Sequence, residues 1–301
     1  MDRRRFVGTS LAASLAWRGA AAQPAPGPAI LRAFGRSGER IPAIGMGTWL
    51  TFDVGGAPAE TAQRERVLQA FFDAGGGVID SSPMYGRAEK VVGELLPRVR
   101  GGKLFAATKV WTPFDATGRR QHADSLALWK LPRLDLQQVH NLLNTDGHLK
   151  TLRAARERGE VRYIGITTSH GRRHDEMLAL MRREPLDAIQ LTYNMADTSA
   201  EPLLDEAAAR GLAVVINRPF DAGVLPDRLA GKPLPPWARE IDCDHWAAFL
   251  LKWVIGHPAV TCAIPATSNP AHMVQNMAAG RGRLPDAALR RRMLALVREL
   301  L

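Results

Sequence analysis

The chain is predicted to be an α/β protein, a (β/α)8 TIM barrel with a short N-terminal β-hairpin and a C-terminal helix. Three observations predict it. Short runs rich in β-branched residues recur eight times, amphipathic stretches fill the gaps between them, and consecutive runs end on ionisable residues. The expected strands are Ala43 to Thr48, then 77 to 82, 104 to 110, 134 to 140, 163 to 168, 188 to 194, 213 to 217 and 259 to 265. Helical spacing of apolar residues, three and four apart, is clearest at 61 to 74, 145 to 158, 174 to 183 and 201 to 210. Gly159 and Gly211 close two of these just before a strand, as suits a residue that must take positive φ at a helix end. A Rossmann sheet matches less well, because no G-x-G-x-x-G turn follows the first strand and Gly45 and Gly47 sit inside it. Ahead of the barrel, ILRAFGRSGERI reads as a hairpin turning at Arg36 to Glu39, and the last twenty residues read as one amphipathic helix.

With 301 residues, 46% hydrophobic and 23% charged, the chain is long enough for one large soluble domain, placed at 31 to 301. Residues 1 to 22 read instead as an export signal. Arg3, Arg4, Arg5 and Phe6 resemble a twin-arginine start, the apolar run from Phe6 to Trp17 is shorter than the roughly 20 residues a membrane span needs, and a Pro-rich spacer fills 23 to 30. The expected destination is the periplasm, reached in the folded state through the export machinery, with no stable membrane insertion after cleavage. Removing the signal takes away four arginines and one aspartate, so the net charge falls from +10 to +7. No basic run carries interleaved aromatics, which argues against nucleic acid, while a general positive field favours anionic substrates or cofactors. Cys243, in a helical stretch, and Cys262, in an apolar strand, do not form a disulfide framework.

The chemistry is expected around GGGVIDSSPMYGRAE at 75 to 89. Asp80 ends the second strand, Lys109 the third and His140 the fourth, so three ionisable side chains converge above one end of a barrel. Each alone reads as a cap, a solvated cation or a core histidine. Together they would be costly on strands this apolar unless Lys109 pairs with Asp80. Tyr85 follows on the next loop, and a neighbouring ammonium favours its ionised form and makes the phenol a better proton donor. His140 could hydrogen-bond the oxygen that Tyr85 protonates. Such a set suits carbonyl reduction, and one Asp, one His, one Tyr and one Lys make a poor metal site. Trp49 and Trp111, just beyond the first and third strands, are expected to line the substrate pocket.

These residues resemble the aldo-keto reductases, barrels that use NADP(H) and an Asp, Tyr, Lys and His tetrad. GMGTW at 45 to 49, VIDSSPMYGRAE at 78 to 89, ATKVW at 107 to 111 and GEVRYIGITT at 159 to 168 carry the resemblance. It implies that Asp80, Tyr85, Lys109 and His140 are catalytic and that a small carbonyl or alcohol is the substrate. It also implies a cofactor held by Thr48, Thr167, Thr168, Gln190, Asn217, Arg218, Phe220 and Ile264, and by Thr267, Ser268, Asn269, His272, Gln275 and Asn276 in the last loop and helix. The chain departs from the family's pattern in three places. Thr167 and Thr168 replace the usual Ser-Asn, Asn217 stands where an aromatic ring stacks on the nicotinamide, and Ala266 and His272 replace the usual Lys and Arg for the 2′-phosphate. NADP(H) is still favoured over NAD(H). The altered contacts and the export signal motivate one alternative, an exported sensor or accessory protein that binds the cofactor with little turnover.

Overall fold

The computed structural model describes residues 27–301. The signal at 1 to 22 and the spacer up to residue 26 lie outside the described residues. The remainder of the spacer is fastened to the barrel: Gly282 N donates to Pro28 O and Ile30 N to Gly280 O, at 3.1 and 2.8 Å.

The hairpin forms first, from β1 (Leu31–Ala33) and β2 (Arg40–Pro42), paired antiparallel around a 3-10 turn at Gly35–Ser37. The barrel strands follow as β3 (Met46–Gly47), β4 (Val78–Asp80), β5 (Phe105–Val110), β6 (Leu134–His140), β7 (Val161–Thr167), β8 (Ala188–Thr192), β9 (Ala213–Asn217) and β10 (Cys262–Ala263). All neighbours from β3 to β10 pair in parallel and in chain order. Between them run α1 (Pro58–Asp73), α2 (Ala88–Leu95), α3 (Asp115–Trp129), α4 (Thr145–Glu157), α5 (His174–Arg183), α6 (Glu201–Arg210), α7 (Val224–Leu229) and α8 (Trp246–Ile255). Helices α9 (Pro270–Ala278) and α10 (Ala287–Leu300) complete the chain. This is the expected (β/α)8 barrel with its N-terminal hairpin and C-terminal helix.

The two closing strands are shorter than expected. Gly45, Gly47 and Pro265 interrupt regular pairing there, and the barrel closes through single contacts instead: Ala263 N to Ala43 O at 2.9 Å, Gly45 N to Ala263 O at 2.8 Å and Gly47 N to Pro265 O at 3.1 Å. Gly159 and Gly211 take φ of +79° and +62° beyond α4 and at the end of α6, as their positions required. Cys243 lies in the loop before α8 rather than in a helix, since the 3-10 turn ahead of it stops at Asp242; both cysteines are free and buried.

Strand alternation sorts the interior. Val78, Phe105, Leu136, Ala188, Ala213, Val215 and Cys262 pack with Phe34 and Ile41 of the hairpin, whereas Ile79, Ala106, Val139, Ile189, Val214 and Ala263 pack in the layer that includes the helices. The inward set lies mainly at the starts of the strands. The hairpin therefore plugs the N-terminal end of the barrel with Phe34, whose ring centroid lies 4.6 Å from that of Tyr163. Glu39 fastens the plug by accepting from Lys103, Arg162 and Tyr163. Chemistry is left to the other end.

Helices α2 and α3 touch through backbone. An added Cβ at Gly93 would lie 1.8 Å from the Leu128 carbonyl oxygen. Gly93→Ala is expected to lower the urea midpoint, at a cost of about 1 to 3 kcal/mol or more, because backbone on both sides limits relief. An unchanged midpoint would show that the helices can separate freely.

Candidate active site

The same alternation carries polar residues inward one step higher. From Val78 the next inward position is Asp80, from Phe105 and Ala107 it is Lys109, from Leu136 it is Gln138 and then His140, and from Ala188 it is Gln190. A polar layer thus sits on an apolar one, at the C-terminal ends of the strands.

Lys109 and Asp80 form its centre, with side chains 0% and 3% exposed. Lys109 Nζ donates to Asp80 Oδ2 and, at 2.8 Å, to Ser81 O. The other carboxylate oxygen accepts from Gln190 Nε2 at 2.9 Å and from Gln138 Nε2 at 3.3 Å. Burial works against the Lys109 charge, but Asp80 and then Tyr85 outweigh it and hold the ammonium above the ordinary lysine range. Next door, Thr108 faces outward and donates to Glu89 of α2 at 2.6 Å; the same carboxylate oxygen accepts from Ser125 and Trp129.

Tyr85 is delivered by a turn after β4. Its amide donates to Ser82 O at 2.9 Å, and Asp53 fixes the far side by accepting from Arg87 N at 2.9 Å. Gly86, at φ +58°, is needed there, since a Cβ would meet the Asp53 carboxylate at 2.3 Å. The phenol ring lies 5.2 Å from Lys109 Nζ. Its pKa is raised, contrary to the sequence expectation: burial pushes it up, and the Lys109 charge offsets this only in part. The phenol is therefore held in its protonated form. His140 meets Tyr85 edge-on with centroids 5.9 Å apart, and its Nδ1 lies 3.0 Å from Ser82 Oγ. Burial first, then Lys109, lowers its pKa to about 2, so the imidazole is neutral.

Over this group opens a cavity of about 560 Å³, lined by Thr48, Trp49, Asp80, Tyr85, His140, Thr168, Gln190, Asn217, Arg218, Phe220 and Ile264 among others. These predicted residues are brought together. Thr48 also braces the site: its hydroxyl donates to Asp80 O at 3.0 Å and can accept from Ser81 Oγ at 2.9 Å. Asn217 Nδ2 donates to Thr168 O at 2.9 Å, so the residue in place of an aromatic ring ties β9 to β7. Arg218 pairs with Asp221 and lies over Trp49, 6.0 Å from its ring. Thr167 is buried behind Gln190 and is not part of the lining, and neither is Trp111.

Thr267, Ser268, Asn269, His272, Gln275 and Asn276 are not part of the cavity lining either. They cluster at the start of α9, where Asn269 caps the helix by accepting from Ala271 N at 2.9 Å and Pro270 opens it. Ser268 O accepts from Gln63 of α1, and Asn276 is buried, whereas His272 and Gln275 are exposed.

Sequence reading missed Ser82, Gln138 and the cavity cations Arg172 and Arg173. Gln138 was findable, because it stands two residues before His140 and must share its face. Ser82 has no periodic signal, being in a loop.

Fold and site together define a barrel with a phenol, ammonium, carboxylate and imidazole gathered at the C-terminal ends of its strands. The chain belongs to the aldo/keto reductase family, whose model matches residues 43–291. It is 25% identical to pyridoxal 4-dehydrogenase of Microbacterium luteolum over 85% of this chain and 94% of that one. Its identity to aldo-keto reductase family 1 member A1 of Pongo abelii is also 25%, over 80% and 82% of the two chains. Among solved structures, a holo aldo-keto reductase from Bacillus halodurans superposes with TM-score 0.73 at 20% identity, covering 90% of this chain and 96% of that one. The Klebsiella pneumoniae aldo/keto reductase in complex with NADP and acetate gives 0.72 at 24%, covering 88% and 94%. These two likenesses bear on the fold.

Asp80→Asn leaves the Lys109 charge buried without its counterion. A loss of about 3 kcal/mol in folding stability is expected, read by urea unfolding. Wild-type stability in the variant would mean that Lys109 is satisfied without Asp80.

Proposed function

We propose that the protein interconverts a small aldehyde or ketone and its alcohol with NADP(H) as the redox partner, in preference to NAD(H). The observation that carries this reading is Tyr85: a protonated phenol at the floor of an open cavity, beside an ammonium that Asp80 locks in place. The residues present fit a nicotinamide cofactor. Thr168, Gln190 and Asn217 offer neutral polar groups beside the tetrad. Gly223 lines the cavity with no atom within 4 Å of where a Cβ would stand, which leaves backbone open to a ligand. The capped start of α9 suits a phosphate group. The Klebsiella protein, by its description, binds NADP.

The chemistry taken from a bound nicotinamide is a hydride delivered to the carbonyl carbon. The chain supplies the rest. Tyr85 gives its phenolic proton to the carbonyl oxygen, and Lys109 stabilises the phenolate left behind. Asp80 keeps Lys109 charged and aimed. If Ser82 donates to His140 Nδ1, the ring proton sits on Nε2, where it can hydrogen-bond the same oxygen. His140 therefore orients and does not titrate in the working range. The relatives are named as dehydrogenases and reductases, and nothing about the tetrad favours a binding protein with little turnover.

Export by the twin-arginine route accompanies this reading, on the strength of Arg3, Arg4, Arg5 and Phe6. Replacing Arg4 and Arg5 by Lys is expected to leave the protein in the cytoplasmic fraction; unchanged periplasmic recovery would remove that assignment.

Purified protein is expected to oxidise NADPH in the presence of benzaldehyde. Tyr85→Phe is expected to lower kcat by about 10² to 10⁴; an equal rate in the variant refutes the assignment. Reduction needs the protonated phenol, so its rate is lost as pH rises through the Tyr85 pKa. Because that value is raised, the rate is expected to hold from about pH 5 to 9 and decline only above the ordinary phenol value of about 10. A kinetic pKa near the histidine value of about 6.5 would contradict the neutral state of His140.

A further inference from the structure

Part of the cavity lining is cationic. Arg172 and Arg173, on the loop between β7 and α5, and Arg218, beyond β9, all belong to it, whereas the one carboxylate among its described residues, Asp80, is neutralised by Lys109. Two of these guanidiniums are occupied. Arg173 binds Glu176 through both nitrogens and reaches Asn141 O, and Arg218 pairs with Asp221 at 2.9 Å. Arg172 is exposed and makes no hydrogen bond or ion pair with any described residue. A cation that is free in a concave, partly desolvated wall attracts an anion more strongly than one on open surface. Trp49, Leu50 and Met84 add apolar surface to the same lining, 37%, 71% and 38% exposed.

We infer that the substrate is an amphipathic carbonyl compound with a carboxylate or similar anionic group remote from the reacting carbon, and that Arg172 binds that group. This rests on the carbonyl chemistry proposed above and adds the substrate class. The carbonyl is held at Tyr85 and His140, the apolar body packs on Trp49, Leu50 or Met84, and the anion extends to the loop after β7. Neutral aldehydes of the same skeleton lack the last contact. Both Arg218 and Arg172 also bear on His170, which lines the same wall; burial first, then these two charges, lower its pKa, so it stays neutral and adds no charge of its own.

The test compares 4-carboxybenzaldehyde with benzaldehyde on the full chain with NADPH. Wild type is expected to favour the carboxylated aldehyde by about tenfold in kcat/KM, and the preference should shrink as salt is raised and the Debye length falls. In Arg172→Gln the ratio is expected to approach one, and Arg172→Lys should restore part of it. The same two aldehydes titrated calorimetrically give a binding ratio that needs no turnover. A ratio near one in wild type, or a ratio unchanged in Arg172→Gln, overturns the inference. So does a raised KM for NADPH with the aldehyde ratio intact, because the guanidinium would then serve cofactor phosphates. Absence of turnover with both aldehydes would instead defeat the carbonyl reading, and the calorimetric ratio would still decide whether Arg172 selects the anion.

Discussion

The site depends on one ion pair, Lys109 with Asp80, buried beneath the cavity floor. Two charges taken out of water are expensive unless every polar atom around them is satisfied. Here the partners come from several strands: β4 supplies the carboxylate and Ser81, just beyond it, a carbonyl, β5 the ammonium, β6 and β8 the two glutamine amides. The pair is thus a junction of four strands. Tyr85 and His140 are set against it, but burial is the larger influence on both: the phenol stays neutral in spite of the lysine, and the lysine reinforces the neutrality of the imidazole.

This arrangement divides labour between barrel layers. Apolar side chains at the strand starts, sealed by Phe34 of the hairpin, make a dry floor. The polar layer above rests on packed, buried apolar side chains, and the loops that shape the cavity can then vary without disturbing the tetrad. Arg172, Arg218, Trp49 and Met84 all lie on such loops. The shape and charge of the cavity mouth are thus set by loop residues and not by the strands.

The barrel and its tetrad were legible because period-two strands leave a direct signature: an apolar run ending on Asp80, Lys109 or His140 says both where the strand stops and which way the last side chain faces. The closing strands were less so. Regular pairing there is short, and the other six strands bring Met46 and Cys262 into place. The sign of the Tyr85 shift was misjudged, since sequence shows that a lysine is near but not how deeply the phenol is buried. Ser82 and Arg172 were invisible for a related reason. Loop side chains have no period, and the partner of Ser82, His140, lies 58 residues along the chain.

Glu89 has a consequence for how the chain threads itself. It holds Thr108 from the helix layer while Asp80 holds Lys109, the very next residue, from inside the barrel. If β5 slid by one position, the Thr108 hydroxyl would face the Asp80 carboxylate, leaving it without its counterion inside the barrel, and the ammonium would be turned out towards Glu89, whose accepting oxygen is already shared by Ser125 and Trp129. Acceptors on opposite faces of the sheet thus tie the register of β5 to two neighbouring residues.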